Sequence, residues 1–246
     1  MLLSNKHLQD YEKNGFLLLE NFYSIEEILE IGKWTNEVAS KPEIPGEQMM
    51  YFEESLKNPS KRILNRVEHF SHFHKKFNEL FNSKLAKVTA QLLKDDAILF
   101  KEKINFKYPG GDGFKAHQDQ QAGWGKYIDF FITVMIAVDE SEIENGCIEI
   151  AAGQHRNGLI GEEWKPLEND LEYKDFPTKP GDIIFFDSYV PHRSSPNMSN
   201  RPRRSIFVTY NRKSDGNPSK RYYKDKRLNY PPDCERDPKK KYVFRV

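Results

Sequence analysis

The sequence predicts a mainly β protein with flanking helices, built on a double-stranded β-helix (a cupin-like jelly roll). Three observations carry this. From Ile98 onward, short alternating or β-branched runs follow one another, separated by Gly, Pro, Asp and Asn turns. No stretch between them has room for the helical crossovers of a parallel sheet. The first third, by contrast, carries apolar residues mostly at helical spacing. A chain of 246 residues is long enough to bury one sizeable core. The expected organisation is one domain spanning 1–246, with helical N-terminal support over about 1–95, a jelly-roll core over about 96–212 and a charged extension over about 213–246.

In chain order, "NGFLLLENFY" reads as a short buried strand entered from a turn at Asn14-Gly15. "YSIEEILEIGKWTNEVAS" opens with Ser24 three residues before Glu27, a capping-box pattern, and continues with Ile25, Ile28 and Leu29 at helical steps. A second helical region is expected over "PSKRILNRVEHFSHFHKKFNELFNSKLAKVTAQLL", where Phe70, Phe73, Phe77 and Leu80 recur every three or four residues. The expected strands are "AILFKEKINFKY", "FFITVMIAVDE", "GCIEIAAG", "GDIIFFDSYV" and "RRSIFVTYN". Past Arg212 the chain turns Lys-, Asp- and Pro-rich, which reads as a solvated tail in preference to a lid.

Composition removes several function classes. Lys plus Arg and Asp plus Glu nearly balance, at a net charge of +1, so no electrostatic case exists for nucleic acid or an anionic membrane surface. No apolar run approaches the roughly 20 residues of a membrane span. The first residues turn polar too soon for a secretory signal, and two distant cysteines, Cys147 and Cys234, suit a reducing compartment, so the expected location is cytoplasmic. Neither cysteine is assigned a role.

The chemistry lies among seven histidines. In "GFKAHQDQQAGW", His117 and Asp119 stand two residues apart, and on an extended chain both point to one side. His192, in "FFDSYVPHRSSPN", follows a strand that a folded sheet can bring alongside. Two imidazoles and one carboxylate make the facial set of non-haem Fe(II) oxygenases, with the opposite side open. His69, His72 and His74 form a tighter cluster in "VEHFSHFHKK" but lack a completing carboxylate or Cys and are read as non-metal, while His7 and His155 read as an exposed residue and a turn residue.

"HQD" followed by "HRSSPNMSNRPRRSIFVTY", with "KINFKYPGGDGFKAHQD" and "NGCIEIAAGQH" in the same order, resembles the phytanoyl-CoA dioxygenase family of Fe(II)- and 2-oxoglutarate-dependent oxygenases, from about Phe16 to Tyr210. The resemblance implies that His117, Asp119 and His192 are catalytic metal ligands. It implies that Arg203, eleven residues past His192, holds the distal carboxylate of 2-oxoglutarate; a planar, permanently charged fork suits that task. Arg204 would face the other side of the strand. Ser194 is expected on the same carboxylate and Asn105 near the chelating end, with Lys103 and Thr133 as weaker candidates. Gln118, Gln120, Gln121, Trp124 and Tyr127 fall in the loop that borders the substrate.

The implied reaction consumes O2 and 2-oxoglutarate and releases succinate and CO2. Because Asp119 is present, where halogenating relatives carry a small residue, hydroxylation is implied. The neutral and aromatic loop residues suit a small polar metabolite, and the "INFKYPGGDGFKAHQD" region resembles bacterial relatives that hydroxylate aminoalkyl-phosphonates, where Lys and Arg would meet the phosphonate. Two alternatives are a non-catalytic jelly-roll binding protein and an oxygenase acting on an acyl-CoA or other lipid. A zinc hydrolase using the same triad would leave Arg203 without a task.

Overall fold

The computed structural model describes residues 2–168 and 170–242. In chain order the elements are α1 (Asn5–Asn14), β1 (Phe16–Leu19), α2 (Ile25–Ser40), β2 (Met49–Ser55), β3 (Asn58–Glu68), α3 (Lys75–Phe81), α4 (Lys84–Leu93), β4 (Ala97–Lys107), β5 (Phe114–His117), β6 (Ile132–Ala137), β7 (Ile148–Ile150), β8 (Lys174–Phe176), β9 (Ile183–Asp187), β10 (His192–Ser194), β11 (Arg203–Arg212) and α5 (Ser219–Asn229). Seven strands form a major sheet in the order β1-β9-β6-β11-β4-β3-β2, and four form a minor sheet in the order β5-β10-β7-β8. Every pairing in both sheets is antiparallel. This is the jelly roll that the strand spacing predicts.

Alternation along the major sheet builds two cores. Ile104, Phe106, Ile132, Val134, Ile136, Ile183, Phe185, Ile206 and Val208 face one way, into a cluster with Ile28 and Ile31 of α2, Phe77 of α3 and Leu85 and Val88 of α4. Met135, Ile184, Phe186 and Phe207 face the other way and meet Ile148 and Ile150 of the minor sheet. With both faces covered, β6 and β9 are buried at every residue. Period-2 geometry then sends the neighbours of the helix-facing residues into the barrel: Lys103, Asn105 and Lys107 from β4, Thr133 from β6, and Arg203, Ser205 and Thr209 from β11.

The capping box at Ser24 is present, with the Ser24 hydroxyl accepting from the Glu27 amide and the Ser24 amide donating to the Glu27 carboxylate. Gly15 ends α1 at φ 78°, left-handed backbone that glycine adopts without strain, and feeds β1 against β9.

Two sequence expectations need correction. The stretch from Pro59 to Glu68 is not helical: it is most of β3, and β2 precedes it as a hairpin partner. Its apolar residues allow a helical reading, but pairing of Val67 with Ile104 extends the major sheet, and tertiary pairing overrides local propensity. The segment beyond Arg212 does not run free as a solvated tail through its first half. It forms α5, whose Tyr222 and Tyr223 are buried, with the Tyr223 hydroxyl donating to the Glu102 carboxylate at 2.9 Å. No described helix is long and apolar enough to cross a membrane.

Candidate active site

His117 and His192 are register partners on β5 and β10 of the minor sheet. Their rings lie 4.3 Å apart between centroids. β5 ends at His117, but Gln118 remains extended (φ −104°, ψ 141°), so Asp119 turns back to the same side before a single 3-10 turn takes the chain away. One ligand atom from each of His117, Asp119 and His192 lies within 4.8 Å of the others, and all three residues are buried.

The polar surroundings prepare these groups for a metal. His117 Nδ1 donates to the Lys115 carbonyl at 2.7 Å and His192 Nδ1 donates to the Val190 carbonyl at 3.0 Å, since a carbonyl can only accept. Each Nε2 therefore keeps its lone pair. Burial pushes both imidazoles below their ordinary pKa, keeping them neutral. Burial alone would push Asp119 up, but neighbouring groups, the Lys103 ammonium and the Thr133 hydroxyl among them, outweigh it and hold the carboxyl below its ordinary range. Neutral imidazoles and an ionised carboxylate are the forms that bind a divalent cation, so the residues fit Fe(II).

A small cavity of about 30 Å3 adjoins the triad, lined in part by Asn105, His117, His192, Ser194 and Arg203. Arg203 is only 3% exposed. Its one side-chain hydrogen bond among the described residues goes to Ser205 Oγ (3.2 Å), its Nε is unpartnered, and it forms no described ion pair. Burial pushes its pKa down to about 10, so the guanidinium stays charged. The next residue, Arg204, is bound by Asp139 at 2.7 and 2.8 Å on the opposite face of β11. Ser194 Oγ accepts from Lys107 Nζ at 2.8 Å, which leaves its own proton for a bound carboxylate. The Asn105 side chain is buried with Oδ1 unpartnered. A carboxylate-bearing ligand fits this cavity, which ends on a bidentate donor and opens on the metal-binding atoms.

A second, larger cavity opens on His117 and Asp119. Trp124 and Tyr127 line it, with Arg66, Lys101, Lys103 and, from α5, Tyr222, Asp225 and Lys226. Lys103 lines both cavities, and burial together with Lys101 pushes its pKa down to about 8.

Other expected site residues stand elsewhere. Thr133 does not line the smaller cavity; its hydroxyl donates to Asp119 Oδ2 at 2.8 Å and meets Thr209 Oγ1 at 3.1 Å. Gln118, Gln120 and Gln121 do not line the larger cavity, because their amides hold backbone. Gln118 donates to the Gly158 and Tyr189 carbonyls, Gln120 to the Asp129 carbonyl, and Gln121 to the Glu162 and Lys165 carbonyls. His69, His72 and His74 are not on one helix: His69 has φ 56°, stacks on Tyr223 at 3.9 Å, and burial pushes its pKa down to about 4.

Lys101, Arg66 and the α5 residues were not expected to line the larger cavity, nor Lys107 to hydrogen-bond Ser194. For β4 a signal existed: "KEKINFK" puts Lys101, Lys103, Asn105 and Lys107 at alternate positions of an otherwise buried strand.

Comparison with known proteins agrees with this geometry. The family model for phytanoyl-CoA dioxygenase matches residues 11–205. The chain is 41% identical over 238 residues to a 2-aminoethylphosphonate dioxygenase from an uncultured bacterium, covering 94% of this chain and 90% of that one. It is 35% identical over 234 residues to a methylphosphonate hydroxylase from Gimesia maris, covering 93% and 88%. Among solved structures, EctD from S. alaskensis with 2-oxoglutarate and 5-hydroxyectoine superposes with a TM-score of 0.72 at 21% identity, covering 87% of this chain and 77% of that one, and so shares the fold.

Proposed function

The chain belongs to the phytanoyl-CoA dioxygenase family, and from that premise we propose that this Fe(II)- and 2-oxoglutarate-dependent dioxygenase hydroxylates a small organophosphonate, releasing succinate and CO2. His117, Asp119 and His192 would hold the metal. Arg203 would take the distal carboxylate of 2-oxoglutarate, with Ser194 donating to the same group and Asn105 nearer the metal. Bound Fe(II) and 2-oxoglutarate supply the O2 activation that replaces a substrate C–H hydrogen by hydroxyl. The protein's own work is to fix the three donors, seat the co-substrate on a counter-ion and aim one substrate carbon at the open side of the triad.

The observation that carries the substrate reading is the wall of the larger cavity. It presents Arg66, Lys101, Lys103 and Lys226 beside His117 and Asp119 and has about 90 Å3 of room. That is smaller than the roughly 150 Å3 engineered cavity that accepts benzene. A compact anion fits beside the triad. Relatives at 41% and 35% identity are named for 2-aminoethylphosphonate and methylphosphonate, which are compact anions of this kind. A non-catalytic binding role would not require an intact donor set, a co-substrate arginine and neutral, tautomer-fixed histidines together.

The test is succinate release from 2-oxoglutarate by anaerobically iron-loaded protein on admission of O2. The panel holds methylphosphonate, 2-aminoethylphosphonate, quaternary amines, amino acids and acyl-CoAs. Stimulation by a phosphonate supports the proposal, and stimulation by another class alone replaces the substrate. No succinate under any condition, with no 2-oxoglutarate binding by calorimetry, overturns the enzyme reading.

A further inference from the structure

Glu68, at the end of β3, is 0% exposed and collects three cations from three elements. Lys226 of α5 donates to its carboxylate at 2.9 Å, with a second approach of 2.7 Å; Arg66 Nε of β3 lies 3.0 Å away and Lys101 Nζ of β4 3.7 Å away. All three cations line the cavity that opens on His117 and Asp119. Within this cluster one carboxylate faces three basic side chains, a local excess of positive charge on a wall of the cavity that is at most partly exposed. Lys101 is 5% exposed, and its ammonium makes no hydrogen bond among the described residues. It sits over the faces of Trp124 (5.3 Å) and Tyr222 (5.4 Å). Asp225 also lines the cavity, but it takes the Tyr127 hydroxyl at 2.8 Å and forms no described ion pair with the three.

We propose that Arg66, Lys101 and Lys226 form the seat for the substrate's acidic group and read it as a dianion, Glu68 setting the charge at which the seat is neutralised. The inference rests on the organophosphonate reading above and adds which residues recognise the group and in which ionisation state. Burying unpaired charge is costly, and a ligand carrying two negative charges removes that cost where one carrying a single charge leaves a positive charge unpaired. A structural latch holding α5 to the sheet would need only Lys226 and Glu68. It gives no task to the Lys101 ammonium, which contributes no hydrogen bond to the latch and faces the cavity. Because Lys226 comes from α5, the seat is complete only with that helix in place, which ties the segment beyond β11 to substrate recognition.

Methylphosphonate and methanesulfonate are nearly the same tetrahedral shape and differ by one charge above the second phosphonate ionisation. Binding of each to the anaerobic Fe(II)- and 2-oxoglutarate-loaded full chain at pH 8.5 or so, followed by calorimetry, isolates that charge. The wild type should bind the phosphonate at least about tenfold more tightly, roughly one charge-assisted hydrogen bond. Lys101→Met and, separately, Lys226→Gln should shrink that gap to about threefold or less while 2-oxoglutarate affinity stays within about twofold; unchanged thermal midpoints exclude unfolding as the cause. Equal binding of the two anions by the wild type, or an undiminished gap in both variants, overturns the seat. A gap in binding with no phosphonate-stimulated succinate would sink the proposed substrate while leaving the seat; turnover of phosphonates without the gap would do the reverse.

Discussion

His117 and His192 sit opposite each other on β5 and β10, and each fastens its Nδ1 to the carbonyl two residues before it, Lys115 in one case and Val190 in the other. The same local device repeated on paired strands aims both Nε2 atoms at the space that Asp119 enters. Removal of any one donor leaves two, which is too few to hold a labile divalent ion at ordinary concentrations. His117→Ala, Asp119→Ala and His192→Ala should each retain the fold, lose stoichiometric iron by metal analysis after anaerobic loading, and drop turnover by at least about 100-fold.

On the proposed assignment, Arg203 separates co-substrate binding from metal binding. Its guanidinium is buried without a counter-ion among the described residues, so a bound carboxylate would gain a bidentate charge-assisted pair of order 3 kcal/mol. Arg203→Ala should keep iron and raise the KM for 2-oxoglutarate about 100-fold. Arg203→Lys, a point charge on a flexible stem, should recover only part of that loss. Iron loss equal to that of the triad variants would contradict the division of labour.

Thr133 acts through Asp119. Its hydroxyl occupies Oδ2 at 2.8 Å, which restricts the carboxylate's rotation and holds it ionised. Thr133→Val keeps the shape and removes that donor, so iron affinity measured by chelator competition should fall by about tenfold. The KM for 2-oxoglutarate, taken at saturating iron, should stay near the wild-type value. A selective rise in that KM would return Thr133 to the co-substrate site.

Asp187, on β9, is buried with a single described side-chain hydrogen bond, from the Tyr189 amide at 2.7 Å. Burial pushes its carboxyl up to about 6 from an ordinary 3.8. Between those values the folded state binds more protons than the unfolded state, so stability falls as pH rises through the window. Above pH 6 the buried charge costs of order 2–3 kcal/mol. Asp187→Asn should therefore be more stable than the wild type at pH 7.5 in urea unfolding, and the difference should vanish below about pH 4. A constant difference at both pH values would mean that burial of the charge is not its source.

Most of the sheet was readable because period-2 alternation survives wherever a strand has two different faces. β4 and β11 show it; the family resemblance pointed to Arg203, and strand parity then put Arg204 on the opposite face. β3 was misread because Ile63, Leu64 and Val67 suit a helix stripe as well as a strand; the deciding partner, β4, is remote in sequence. The three glutamines after the metal pair drew attention as polar loop residues, but polarity next to a site does not reveal whether an amide faces a ligand or backbone. The α5 contribution was hidden for a related reason. Its sequence is highly charged, and only the Glu68 carboxylate, buried on another strand, makes a cavity wall of Lys226.

Gln118 tests that last distinction directly. Its Nε2 donates to the Gly158 and Tyr189 carbonyls at 2.7 and 2.6 Å, and its Oε1 accepts from the Ile160 amide at 2.9 Å. One amide thus ties the chain beyond β7 and the turn before β10 to the segment carrying Asp119. Gln118→Ala leaves three part-buried backbone groups without their partner, a loss of about 1–2 kcal/mol, or a drop of roughly 2–8 °C in Tm for a chain of this size. Because the side chain reaches backbone and not the cavity, substrate KM measured well below the new Tm should change by less than about threefold. If Tm stayed constant while substrate KM rose, the amide would belong to the substrate site, and its three hydrogen bonds would be incidental to the fold.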